Sequence, residues 1–181
     1  VISEIMTGAS GNNSYDFIEL YNPTDAIIDL QGLSLWYQLN TSQSDVLLYS
    51  WETSALIPPR GHYLLLRINQ DAGVDADAFF DYSLVPQRGS LALLQRDSTI
   101  VDQIGWGSTD AAFVEGLKAP EPAIDASLER LPGAEQGNGQ DSDDNAGDFF
   151  VNNLPNPQNS ASPAVPAFTS DPPAPEITPE T

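Results

Sequence analysis

The chain has 181 residues, 26 acidic against 6 basic side chains for a net charge of −20, and no cysteine. That length accommodates one domain with an appendage. The charge excludes nucleic acid as a partner, because phosphate binding needs Lys and Arg to displace counterions, and it disfavours docking on anionic lipid. No apolar run approaches the roughly 18 residues needed to span a membrane. The lack of thiols leaves the redox compartment open. The chain opens at Val1 inside β-prone sequence, as expected of a mature or trimmed product.

Val1–Met6 predicts a first strand, and Gly8–Ser14 a loop rich in Gly and Asn. Residues 17–21 (Phe-Ile-Glu-Leu-Tyr) predict a half-buried strand closed by Asn22-Pro23-Thr24-Asp25, a turn with Asn first and Pro at its second position. Ala26–Leu30 follows, then the turn Gln31-Gly32 and Leu33–Leu39, whose Leu33, Leu35, Tyr37 and Leu39 share one face at period two. Val46–Trp51 returns as strand. Leu56–Gly61 reads as an edge segment entering a turn, since Pro cannot donate to a central ladder. His62–Ile68 is a continuous apolar run suited to a strand near the middle of a sandwich. Asn69–Ala78 is loop, residues 80–85 a weaker strand, and Ser90–Gln95 with Thr99–Ile104 a hairpin ending near Gly105-Trp106-Gly107. Eight to ten short strands with turns every 8–12 residues predict an all-β, antiparallel, immunoglobulin-like sandwich, with a closed barrel as the alternative.

Beyond residue 107 the texture changes. A short helix is expected around Asp110–Glu115, a strand over Ser127–Leu131, an acidic Gly/Asn-rich loop over 134–148, and an apolar patch at Phe149-Phe150-Val151. Eight of the 15 prolines follow residue 154, so residues 155–181 predict an extended Pro-rich tail without a core of its own. The division is a sandwich over 1–107, an acidic extension packing on it over 108–154, and the tail over 155–181.

Val1-Ile2-Ser3-Glu4-Ile5, a Gly/Asn loop and Phe17–Thr24 together resemble the opening of a lamin tail domain of bacterial type. Ile28–Leu35 is similar to that family's Asp-Leu-x-Gly step, Ile57–Leu64 to its Pro-x-Gly-x-Tyr turn, and Leu91–Gly107 to its closing hairpin. Ser127–Arg130 with Asp141–Phe149 resembles a piece that trails such domains in bacteria. The resemblance implies an immunoglobulin-like, non-enzymatic module of secreted or surface bacterial proteins. The basic patches that lamin tails proper use for nuclear partners are missing, so a nuclear role does not carry over.

Several residue groups are candidate sites. His62, the only histidine, lacks a nucleophile elbow and a second motif to orient it as a base. Glu4 and Glu19 belong to strands expected to be neighbours, where a glycosidase pair would need a cleft; pairing with Arg67 or Arg96 is the expected fate. Asp141, Asp143, Asp144, Asn145 and Asp148 form the best calcium candidate, offering closely spaced oxygens without EF-hand spacing. Asp71, Asp75 and Asp77 form a poorer one. Trp36, Trp51 and Trp106 suggest core packing before a sugar platform. The tail is either a linker or a segment lying along a neighbouring copy of the chain, with Val165, Phe168 and Ile177 as interface anchors. The function expected is therefore a structural or assembly module of a bacterial cell surface or extracellular filament. The alternative is a carbohydrate- or calcium-binding accessory module of an exported protein. No cofactor is required in the first case.

Overall fold

Period-two alternation decides which side chains meet across the two sheets. In the computed structural model, which describes residues 1–165, these alternating segments form β1 (Ile2–Ala9), β2 (Asn12–Tyr21), β3 (Ile28–Asp29), β4 (Ser34–Gln38), β5 (Val46–Ser50), β6 (Leu56–Ile57), β7 (His62–Arg67), β8 (Ala78–Phe80), β9 (Arg88–Leu94), β10 (Ile100–Gly107), β11 (Ser127–Arg130) and β12 (Phe149–Asn152). One sheet has the order β12-β11-β1-β2-β7-β8 and the other β10-β9-β4-β5, while β3 and β6 pair separately. All pairs are antiparallel except β7 with β8. The chain is an immunoglobulin-like β-sandwich.

Ile5, Ile18, Leu65 and Leu128 stand in cross-strand register and face Leu35, Tyr37, Leu91 and Ile104 of the second sheet across the main core. Trp106 is fully buried in that core, with its ring 6.1 Å from Tyr37. Gly89 makes room for it, since a β-carbon there would stand 2.6 Å from the indole. The turn after β2 is held by Asn22, whose side chain accepts from Thr24 N–H and donates to Ala26, Ile57 and Pro58 carbonyls. Leu64, Leu65 and Leu66 run consecutively in β7 because both faces of the sheet are covered there. Leu64 and Leu66 join Met6 and Phe17 on the outer face, under Ala72, Val74 and Ala76.

Three expectations shift. The Gly8–Ser14 loop shrinks to a turn at Ser10-Gly11, because positive φ at Gly8 and Gly11 lets β1 and β2 continue pairing to Ala9 and Asn12. The strand expected over 80–85 lies at 78–80. No helix forms over 110–115: the backbone N–H groups of Glu115 and Leu117 donate to the side chains of Asn145 and Asp144, so side chains replace helical acceptors. The short helix is instead α1 (Asn145–Asp148). Residues past 107 are built into the body, since β11 pairs with β1 and β12 with β11.

Candidate functional site

The outer face of the six-stranded sheet carries a row of glutamates. Glu4 of β1 stands in register with Glu129 of β11 on one side and with Glu19 of β2 on the other. All three are buried, at 2%, 6% and 1% exposure. The strands impose this adjacency: directly opposed residues on one face have neighbouring β-carbons, and like charges there are destabilising. Arg67 and Arg96, the partners expected from sequence, are elsewhere. Arg67 donates to the Ser14 carbonyl and Arg96 pairs with Glu52. Among the described residues only His62 comes near, with Nε2 3.6 Å from a Glu19 oxygen.

Neutral donors satisfy the row instead. Ser127 Oγ donates to Glu4, Ser3 Oγ to Glu19 at 2.6 Å, and Asn138 and Asn152 side chains to Glu129 at 3.1 and 2.7 Å. Burial pushes Glu4 up to about 7, with the Glu129 charge adding to it against the Ser127 hydroxyl. Burial and then the Glu4 charge push Glu19 well above the usual carboxylate range. Burial likewise lowers His62 to about 4, so its ring is neutral, and Nε2 donates to Asn138 Oδ1 at 3.2 Å.

A segment of irregular chain closes this face. After β12 the backbone turns at Asn153-Leu154 and crosses the row. The N–H of Asn156 donates to Glu4 at 3.4 Å, that of Gln158 to Glu19 at 2.7 Å, and that of Ser160 to Asp77 at 2.9 Å. Alternate residues supply the donors, and the positions before Asn156 and Gln158 are Pro155 and Pro157, which have no N–H to leave unpaired. We call residues 155–165 the strap. It ends with Val165, whose N–H donates to Arg60 O and whose carbonyl accepts from the Tyr21 hydroxyl, both within the same chain. Phe168 and Ile177, the other two expected interface anchors, lie outside the described residues.

The calcium candidates surround a different centre. Arg130, fully buried, directs one nitrogen at both oxygens of the equally buried Asp102 at 2.8 and 2.9 Å. It also donates to the carbonyls of Ile2 and Gln140, and its guanidinium lies 4.6 Å from the Phe149 ring centre. Asp141 and Asp148 stand 3.4 and 3.9 Å away. Asp148 accepts from the Ser142 backbone and hydroxyl. Burial works to raise its carboxyl, but these donors and Gln140 outweigh it and hold it below the usual range. Asn145 accepts from Gly105 and Glu115, and Asp144 from Leu117. Of the five residues, Asp141, Asp144, Asn145 and Asp148 thus face the chain's own donors, and Asp143 stands at a positive φ of 56°. The poorer cluster is divided too: Asp77 caps Leu64 and Ser160, and Asp71 caps Gly73.

Catalytic geometry is not assembled among the described residues. Glu4 and Glu19 lie beneath the strap rather than beside a cleft, and Ser3 donates to Glu19 rather than to His62. Trp51 and Trp106 are core residues, whereas Trp36 lines a surface groove of about 320 Å³ with Asp45, Leu94, Ser98, Ile100 and Phe113. The seat of the strap escaped sequence reasoning. Its signal was the alternation Pro155-Asn156-Pro157-Gln158 after an Ile-x-Glu-Ile strand, legible only once the sheet sets Glu4 beside Glu19.

No curated protein sequence matches the chain. Residues 1–108 match the family model described as Lamin Tail Domain. That stretch holds β1 to β10, which include the whole of the second sheet and four strands of the first, and on that match the chain belongs to the lamin tail domain family.

Proposed function

We infer from family membership that this chain is a structural or protein-interaction module. We propose that it is a non-enzymatic assembly module of a bacterial cell surface or extracellular filament, needing no cofactor and contacting neighbouring subunits through edge strands or its C-terminal segment. The observation that supports this is the strap: a sheet face that holds an extended chain through carboxylates aimed at alternate N–H groups. Edge strands add to it, since β5 and β10 border the second sheet and display Leu47, Ile100 and Val101 at 48%, 45% and 45% exposure. A charge of −20 keeps copies apart until ions screen it. Light scattering of the whole chain across concentration at low and high salt tests the reading, with electron microscopy of the same samples. Growth in mass with concentration, enhanced by salt, is expected. A monomer under every condition overturns it.

A second reading, an accessory carbohydrate-binding module, is favoured by the Trp36 groove, which Phe113 and Asp45 also line. Asp45 is held in place by a 2.6 Å bond from Gln38. Titration with neutral oligosaccharides, followed by tryptophan fluorescence in the wild type and in Trp36→Ala, decides it. No saturable change in the wild type removes this reading.

A further inference from the structure

We infer that the seat of the strap is an exchangeable socket, and that its occupant in an assembly is the 155–165 segment of a second copy of this chain. The inference rests on the assembly reading above and names its contact. Four observations carry it. First, three of the strap's bonds join its main chain to side chains of the body, Asn156 to Glu4, Gln158 to Glu19 and Ser160 to Asp77, and its other bonds to the body, at Asn159 and Val165, likewise reach residues outside its own hinge. No ladder ties it in sequence to β12, so a segment arriving from another copy makes the same bonds.

Second, the segment is matched to the socket. Its prolines remove N–H groups at 155 and 157 and leave them at 156 and 158, where carboxylates wait. Prolines also restrict the free segment, so less conformational freedom is lost when it docks. Third, the connection to the body is slight. Asn152 holds the turn, accepting from Leu154 N–H at 2.9 Å and donating to its carbonyl at 3.1 Å, while Leu154 itself is 83% exposed. Fourth, Leu154 precedes Pro155, and a residue before proline favours extended backbone.

Exchange of an identical element between copies conserves its contacts, so it is a low-cost route to association. A short tether gives the intramolecular arrangement an effective concentration on the order of millimolar. Exchange is therefore expected where copies are concentrated or tethered side by side, and not at micromolar dilution.

The chain has no cysteine, which makes the test site-specific. Ser160 and Asp77 are in contact through their side chains. One full-length population carries Asp77→Cys, the other Ser160→Cys, and a short bis-maleimide is added to the mixture. The expected result is a cross-linked dimer, absent at micromolar concentration and present near the millimolar range. Its yield should exceed that of either population alone, and Asn152→Ala should raise it several-fold. The double variant reports the seat itself by closing within one chain. If it closes while the mixture gives no dimer at any concentration, exchange is wrong. Asp75→Cys with Asn159→Cys repeats the test, because Asn159 donates to the Asp75 carbonyl. If neither pair closes within or between chains, the socket does not exist and the inference falls. Assembly by light scattering without cross-linking leaves the assembly reading intact and overturns only the exchange. A monomer throughout removes both.

Discussion

Two clusters of carboxylates lie on opposite faces of β11, and the chain handles them in opposite ways. At Arg130 the acids Asp102, Asp141 and Asp148 gather round a buried guanidinium that fills its remaining donors with carbonyls. One residue away, Glu129, Glu4 and Glu19 form a row with no arginine or lysine among the described residues. The first cluster is neutralised by an opposite charge; the second is met by neutral donors, and burial raises the carboxyls of Glu4 and Glu19. With six bases against 26 acids, most of the chain's carboxylates have no basic side chain to pair with. The one arginine placed in the interior stands where the extension meets β1 and β10.

The contrast predicts unequal sensitivity. Truncating Arg130 leaves Asp102 buried without its partner, a loss of about 3–5 kcal/mol. Arg130→Met should therefore give the largest drop in melting temperature of any single change in either cluster. Arg130→Lys should not restore it, because a point charge cannot span both Asp102 oxygens and two carbonyls. The double variant Arg130→Met with Asp102→Leu should recover much of the loss, since an apolar pair of similar volume is tolerated where a lone charge is not. A single variant that melts within a degree of the wild type would show that the ion pair contributes nothing to the joint.

The glutamate row sets the next effect, and its sign is opposite to ordinary acid denaturation. A carboxyl whose folded pKa is raised holds its proton more tightly in the native state than in the unfolded chain. Stability is then lost as pH rises from the unfolded value of 4.5 through the folded one, about 7 for Glu4. Glu19, Asp16 at about 6 and Glu115 at about 7 act in the same direction. His62, lowered to about 4, acts against them: its contribution is lost as pH falls from 6.5 to 4. Thermal stability should peak on the acidic side of neutrality and decline towards pH 8, by up to about 3 kcal/mol for Glu4 alone. Glu4→Gln should flatten that decline. A stability that rises steadily from pH 5 to pH 8 in the wild type contradicts this account.

How far the sequence discloses these clusters differs in an instructive way. The sandwich is legible because alternation and turn chemistry are local: Leu35 and Tyr37 point inward as the period requires, and Asn22 holds the turn expected of it. Glu19 stands in the middle of a strand that reads as half-buried, and its burial on the outer face depends on what crosses that face 139 residues later. Nothing local signals that distance. Arg130 reads as an ordinary residue of a short strand, and only the register of β11 against β1 brings it to Asp102. The acid loop is ambiguous in sequence for a related reason. Clustered Asp and Asn suit a cation and equally suit a loop whose own N–H groups need acceptors, and here Ser142, Leu117 and Gly105 take those oxygens. Composition cannot separate the two uses, because the donors lie on segments remote in sequence.

The smallest effect joins the row to the strap. The Gln158 N–H bonded to Glu19 favours the ionised carboxylate, as does the Asn156 N–H on Glu4. By linkage the preference runs both ways: ionising the glutamates strengthens the grip on the strap, because hydrogen bonds to charged acceptors are roughly twice as strong as neutral ones. The groups facing the strap from the sheet are Glu129, Glu4, Glu19, His62 and Asp77, and His62 is neutral above pH 4, so the glutamates set the trend. The body should thus lose stability with rising pH while the strap is held more firmly. Hydrogen exchange of the Asn156 and Gln158 amides, corrected for the intrinsic rate, should show stronger protection at pH 8 than at pH 6. Gln158→Pro removes one donor and should cost about 1 kcal/mol, raise the Glu19 pKa further and weaken protection at Asn156. If protection is equal at the two pH values, the carboxylates do not control the strap, and the bonds seen across the row are only a consequence of its packing.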